Sequence, residues 1–125
     1  MWTKDRPMLS IVIPTLNEGG NIGATIDALK KGGIKCRYDI IVADGGSSDA
    51  TIEEARARGA DIIESEPGRG VQLAAGGRHA KCTWLLFLHA DTELAAGWYD
   101  EVEAFMQDEG NYRHAAAFSF LLDDD

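Results

Sequence analysis

Positive charge is scarce in this 125-residue chain: twelve Lys and Arg face twenty-one Asp and Glu, a net charge of -9. A general binder of nucleic-acid backbone needs the opposite sign, so nucleic acid is not an expected partner. A local phosphate pocket is still allowed, because backbone N–H groups hold an anion without net positive charge. Cysteine is nearly absent. Cys36 and Cys82 form no C-x-x-C pair and no zinc spacing. They read as reduced thiols, with Cys82 buried. No stretch reaches the roughly 18 apolar residues of a membrane span. The charged extension 1–7 carries no apolar targeting segment, and a cytoplasmic location is expected. Neither G-x-G-x-x-G nor a P-loop is present, which weighs against ordinary dehydrogenase and NTPase readings. There is no nucleophile elbow for a Ser-His-Asp arrangement, and neither cysteine has an evident activating partner.

What is present suits one globular domain over residues 8–125. Hydrophobic residues make up 45% of the chain, enough for a sizeable core at this length. The acidity is uneven. Residues 1–98 carry eleven basic and thirteen acidic groups, whereas residues 99–125 carry Arg113 against eight acids. The body is nearly neutral and the tail acidic.

Short apolar runs alternate with helical patterns. Leu9–Pro14 and Asp39–Ala43 read as buried strands, Ala60–Glu64 as a third strand, Thr83–Leu88 as a fourth whose near-continuous apolar run suits a strand covered on both faces, and Ala115–Leu122 as a candidate fifth. Between them lie helices from Ile22 to about Lys31 with Asn21 as cap, from Asp49 as cap to about Arg58, and over Val71–Ala80 after a Pro67–Gly70 turn. A fourth helix covers 95–107, with Leu94, Trp98, Val102 and Phe105 on one side. The β-α alternation predicts an α/β fold: a mainly parallel sheet with helices on both faces. Ligands of such sheets sit beyond the C-terminal strand ends. There the sequence places its polar segments TLNEGG, DGGSSD and HADTE.

Each motif has a chemical and a plain reading. Asp44, before Gly45 and Gly46, can accept from a base imide or a ribose, or it can stabilise its own turn as an Asx residue. Asp49 reads as a helix cap. His89 and Asp91, two apart on an extended segment, would face one pocket. Asp91 suits Mg2+ or Mn2+ bridging phosphates, and His89 could donate to phosphate or ligate Mn2+. Alternatively His89 is a satisfied strand-end residue and Asp91 caps the next helix. Arg69 on a glycine-flanked turn can meet a diphosphate near a helix N-terminus, or be a plain surface arginine. Glu18 can hold ribose hydroxyls or a base, or be an exposed loop acid.

Taken in order, Pro14-Thr15-Leu16-Asn17-Glu18, Asp44-Gly45-Gly46-Ser47-Ser48-Asp49-Ala50-Thr51, Gly68-Arg69-Gly70 with Gln72 and Gly76, and Leu88-His89-Ala90-Asp91-Thr92 resemble a family 2 glycosyltransferase of the GT-A fold. The likeness spans residues 8–122 and is similar to a small soluble bacterial subgroup with HADT in place of the usual Asp-x-Asp. It implies an inverting transfer from a nucleotide diphosphate sugar, a UDP-sugar favoured, with Mg2+ or Mn2+ at the diphosphate. It also implies donor contacts at Thr15, Asn17, Glu18, Asp44, Gly45, Arg69, Gln72, His89 and Asp91, with metal at Asp91 and, more weakly, His89. Two departures stand out. Gly45 replaces the second Asp of the usual Asp-Asp-Gly-Ser, and His89 replaces the first acid of Asp-x-Asp. Similar enzymes continue for about a hundred further residues, so relative to them the chain is C-terminally truncated. The general base is expected beyond residue 125. The acceptor is an unknown saccharide, lipid or small molecule, and a lipid acceptor would add peripheral membrane association. Uncovered surfaces would favour a homo-oligomer.

Two rivals follow. A nucleotidyltransferase would want a basic, glycine-rich signature after the first strand, where TLNEGG offers an acid. A non-catalytic nucleotide-binding or assembly fragment is the alternative that the missing base segment motivates.

Overall fold

The computed structural model describes residues 9–81 and 84–108. The extension 1–7, Cys82 and the candidate fifth strand Ala115–Leu122 lie outside them. Four strands, β1 (Leu9–Thr15), β2 (Tyr38–Asp44), β3 (Asp61–Glu64) and β4 (Trp84–Phe87), alternate with α1 (Asn21–Lys30), α2 (Thr51–Ala57), α3 (Arg69–His79) and α4 (Trp98–Gln107). All described pairings are parallel, in the order β3-β2-β1-β4. The chain therefore builds outward from β1 to β3, then crosses back to place β4 on the other side of β1. The C-terminal ends of β1 and β4 flank the point where the strand order reverses, which is where open α/β sheets form a crevice.

Strand alternation decides which face each residue covers. Leu9, Ile11 and Ile13 join Ile40 and Val42 beneath α1, α2 and α4, in a core that also buries Ile22, Ile26, Leu29, Trp98, Tyr99 and Val102. Each large aliphatic side chain so enclosed contributes about 1.5–3 kcal/mol. The opposite face is thinner: Val12, Ile41 and Ala43 pack with Ile63, Leu73 and Ala80 under α3. The close approach of α3 depends on Gly76, where a Cβ would lie 2.3 Å from Val12 Cγ1. Helices thus lie on both faces of the sheet, but among the described residues Leu85 and Phe87 of β4 stay exposed, so that strand is not covered on both faces as its apolar run predicts.

Several expected boundaries shift. Asn21 is the first residue of α1, and Gly20 takes the cap position. Ala50, not Asp49, stands at the cap of α2, although the Asp49 carboxylate does accept from Thr51 N at 3.0 Å. Arg69 opens α3 instead of belonging to a turn, and α4 begins at Trp98, after Gly97 in the left-handed region. Gly32 does more than end α1. A Cβ there would lie 2.7 Å from Trp98 Nε1, so the glycine makes room for the indole. Among the described residues no helix is long and apolar enough to cross a membrane.

Candidate functional site

A cleft of about 270 Å3 opens at the reversal point. Its walls come from three segments far apart in sequence: Pro14 to Leu16 and Glu18 after β1, Arg69 and Gln72 at the start of α3, and His89 to Asp91 after β4. Six of the nine expected donor residues meet there: Thr15, Glu18, Arg69, Gln72, His89 and Asp91. Asn17, Asp44 and Gly45 are not in the lining.

Asp44 is fully buried at the end of β2. Its Oδ1 accepts from Thr15 Oγ1 at 2.7 Å and Ser47 Oγ at 2.6 Å. Its Oδ2 accepts from the backbone N–H groups of Gly46 at 3.0 Å and Ser47 at 2.7 Å. Burial pushes the carboxyl pKa up, but donation from Ser47, Thr15 and Gly46 outweighs it and holds the group below its ordinary value. The geometry is that of an Asx-stabilised turn. Asn17 does similar work across loops. With φ of 56°, a value that Asn tolerates well, it accepts from Ser48 N at 2.8 Å, while its own N–H donates to Ser47 Oγ at 2.8 Å.

The seam continues through three more consecutive amides. Glu18 N donates to Thr51 Oγ1 at 2.8 Å, Gly19 N to Asp49 Oδ2 at 3.0 Å, and Gly20 N to both carboxylate oxygens of Glu54, at 2.8 and 3.1 Å. The loop leading into α1 is thus tied to the next βα unit, while the first two amides of the helix, Asn21 and Ile22, donate to Glu18 O at 3.0 Å. Hydrogen bonds to Thr51 and Gly19 also lower the Asp49 pKa. Sequence reasoning missed Ser47, Thr51 and Glu54. Ser47 carried a local signal, three residues after Asp44 in a glycine turn. Glu54 carried none, since its partner lies 34 positions away.

Gln72 is buried, and its polar atoms are engaged by protein. Nε2 donates to Thr15 O and Ala43 O, both at 2.8 Å, and Oε1 accepts from Gly68 N at 3.0 Å. Gly45 lies beneath it. A Cβ at Gly45 would come within 2.9 Å of Gln72 Oε1 and 3.0 Å of Pro67 Cα. The carboxylate missing from this position could not be restored without moving the start of α3.

The other wall is different. Arg69 and Asp91 are exposed, and neither side chain forms an ion pair or hydrogen bond with another described residue. His89 and Asp91 reach the cleft by a different route from the extended segment expected. Thr92 N donates to His89 O at 3.1 Å and Thr92 Oγ1 to the same oxygen at 2.7 Å, so 89–92 is a turn. Thr25 Oγ1 anchors that turn by donating to Ala90 O at 2.5 Å. Asp91 caps no helix, since α4 starts seven residues later. Among the described residues no three His, Cys, Asp or Glu side chains cluster as a metal cage. One carboxylate and one imidazole on an open cleft are two donors that could hold a divalent ion only together with ligands from elsewhere.

Comparison with known proteins places this geometry. The model for the family "Glycosyl transferase family 2" matches residues 10–115. The chain belongs to that family. As a family 2 glycosyltransferase domain, it is 35% identical over 102 residues to a PGL/p-HBAD biosynthesis glycosyltransferase of Mycobacterium bovis, covering 70% of this chain and 37% of that protein. It superposes with a TM-score of 0.71 and 26% identity on glucosyl-3-phosphoglycerate synthase from Mycobacterium tuberculosis, solved with Mn2+, UDP-glucose and phosphoglyceric acid, covering 88% of this chain and 45% of that one. A mannosyltransferase from Pyrobaculum calidifontis shares the fold, with a TM-score of 0.68 and 22% identity over 81% of this chain and 32% of the other. The chain therefore spans less than half the length of these relatives. The GT-A-like architecture expected from the motif series is the one observed.

Proposed function

We propose that this domain is the donor half of an inverting glycosyltransferase, which binds a nucleotide diphosphate sugar, a UDP-sugar favoured, in the cleft between β1 and β4. The carrying observation is the meeting of unpaired Arg69 and Asp91 with His89 and Glu18 at the strand-order reversal. The relative solved with Mn2+ and UDP-glucose supports the same reading. Arg69 meets the diphosphate, whose negative charge grows as the glycosidic bond breaks. Glu18 and Thr15 face the nucleoside from β1. Asp91, with His89, would hold Mg2+ or Mn2+, which when bound would supply Lewis-acid stabilisation of the leaving diphosphate. Asn17, Asp44, Gly45 and Gln72 shape the floor on which these groups stand. Deprotonation of the acceptor, a saccharide, lipid or small molecule, needs a general base that none of these donor groups supplies. A cytoplasmic setting suits a nucleotide-sugar donor, with peripheral membrane association for a lipid acceptor. The exposed Leu85 and Phe87 of β4 support self-association.

A second reading, a non-catalytic nucleotide-binding or assembly fragment, is favoured by the lack of a three-ligand metal cluster among the described residues. Calorimetric titration with UDP and GDP, with and without Mn2+, tests the donor site. Mn2+-dependent binding that weakens at least tenfold in Asp91→Ala supports it. Failure of a folded chain to bind either nucleotide overturns it. Turnover of UDP-glucose by this chain would overturn the fragment reading.

A further inference from the structure

We propose that Gln72 is a positioning residue: its carboxamide locks the Pro67–Gly68 entry to α3 so that Arg69, the first residue of the helix, is held over the cleft for a diphosphate. This rests on the donor reading above. Arg69 stands between Gly68, with φ of 140°, and Gly70, whose Cβ position is open. A backbone so flanked is conformationally permissive, and ordering it on binding would subtract from affinity. Gln72 removes that freedom. Its N–H donates to Gly68 O at 2.8 Å while its Oε1 accepts from Gly68 N at 3.0 Å, a reciprocal pair resembling a capping box. Its Nε2 bridges Thr15 O and Ala43 O, tying the same entry to the ends of β1 and β2.

These three side-chain hydrogen bonds leave the carboxamide little capacity for a ligand, and the residue is only 5% exposed. Arg69, the neighbour it fixes, has its guanidinium available. Gly45 completes the device by leaving the space that the carboxamide fills.

The test is a double-variant cycle read by UDP titration in the presence of Mn2+. Gln72→Ala and Arg69→Ala should each weaken UDP about tenfold, the lower range for one charge-assisted hydrogen bond. The double variant should be no weaker than Arg69→Ala alone, within about twofold. Gly45→Ala, which crowds the carboxamide without deleting it, should reproduce the Gln72→Ala loss and likewise add nothing to Arg69→Ala. It carries the test if Gln72→Ala fails to fold. Multiplicative losses, about a hundredfold in the double variant, would mean that Gln72 touches the nucleotide itself and would overturn the proposal. Full UDP affinity in Gly45→Ala or in folded Gln72→Ala would overturn it too. If the unmodified chain binds neither UDP nor GDP, the donor reading fails, and this proposal with it.

Discussion

The loops behind the cleft and its α3–β4 wall are built on opposite plans. On the β1–β2 side, Asp44, Asn17, Asp49 and Glu54 all carry oxygen acceptors, and all are engaged by protein donors. On the α3–β4 side, the Arg69 and Asp91 side chains have no partner among the described residues. Polar side chains that saturate one another make a rigid floor, while those held at a cleft without partners are ready for a ligand. The same residue types therefore do different work on the two sides, and it is hydrogen-bond accounting that separates them.

The strongest way to break the contrast is to empty the floor. Asp44→Ala leaves Thr15 Oγ1 and the Gly46 and Ser47 amides without their acceptor. It should cost about 3 kcal/mol in urea unfolding, since buried donors lose a charged partner. Lifting α3 off the sheet comes next. Gly76→Ala drives a methyl into Val12 and should cost about 2 kcal/mol by overpacking, seen in the same assay. Ser47→Ala removes one donor to Asp44 and the acceptor for Asn17 N, and should cost about 1 kcal/mol. Asp91→Ala should leave the melting temperature unchanged while removing Mn2+-dependent nucleotide binding.

Acid sharpens the same comparison. The Asp44 carboxyl sits below its ordinary 3.8, so its contribution is fully present above that value and fades as pH falls through the lower folded pKa. The difference in unfolding free energy between the unmodified chain and Asp44→Asn should therefore be constant above about pH 5 and shrink below pH 4. A difference that grows on acidification would contradict the assignment.

The sheet was legible because LSIVIP and DIIVA can hardly be anything but buried strands, and because polar loops follow each one. The reversal of order at β4, which creates the cleft, is a choice of pairing partner that no single segment announces. Arg69, His89 and Asp91 were readable as cleft residues, although the route for the last two was a turn anchored by Thr25 instead of an extended strand. Harder to read were partnerships across sequence. Ahead of α1 the Gly19 and Gly20 amides go to Asp49 and Glu54, whereas the helix's own first amides, Asn21 and Ile22, donate locally to Glu18 O and need no side-chain cap from Asn21. Gln72 was legible as a cleft residue, but its attachment to the ends of two strands was not. A buried amide's role depends on which carbonyls happen to be left over.

The central claim is that the nucleotide lies against the α3–β4 wall and only rests on the saturated floor. Amide chemical-shift mapping of the 15N-labelled chain titrated with UDP and Mg2+ tests it directly. The account predicts the largest shifts at Arg69 and at His89 to Asp91, with the Asp44 to Asp49 loop moving less. Largest shifts in that loop, with the amides of residues 89–91 unmoved, would contradict it.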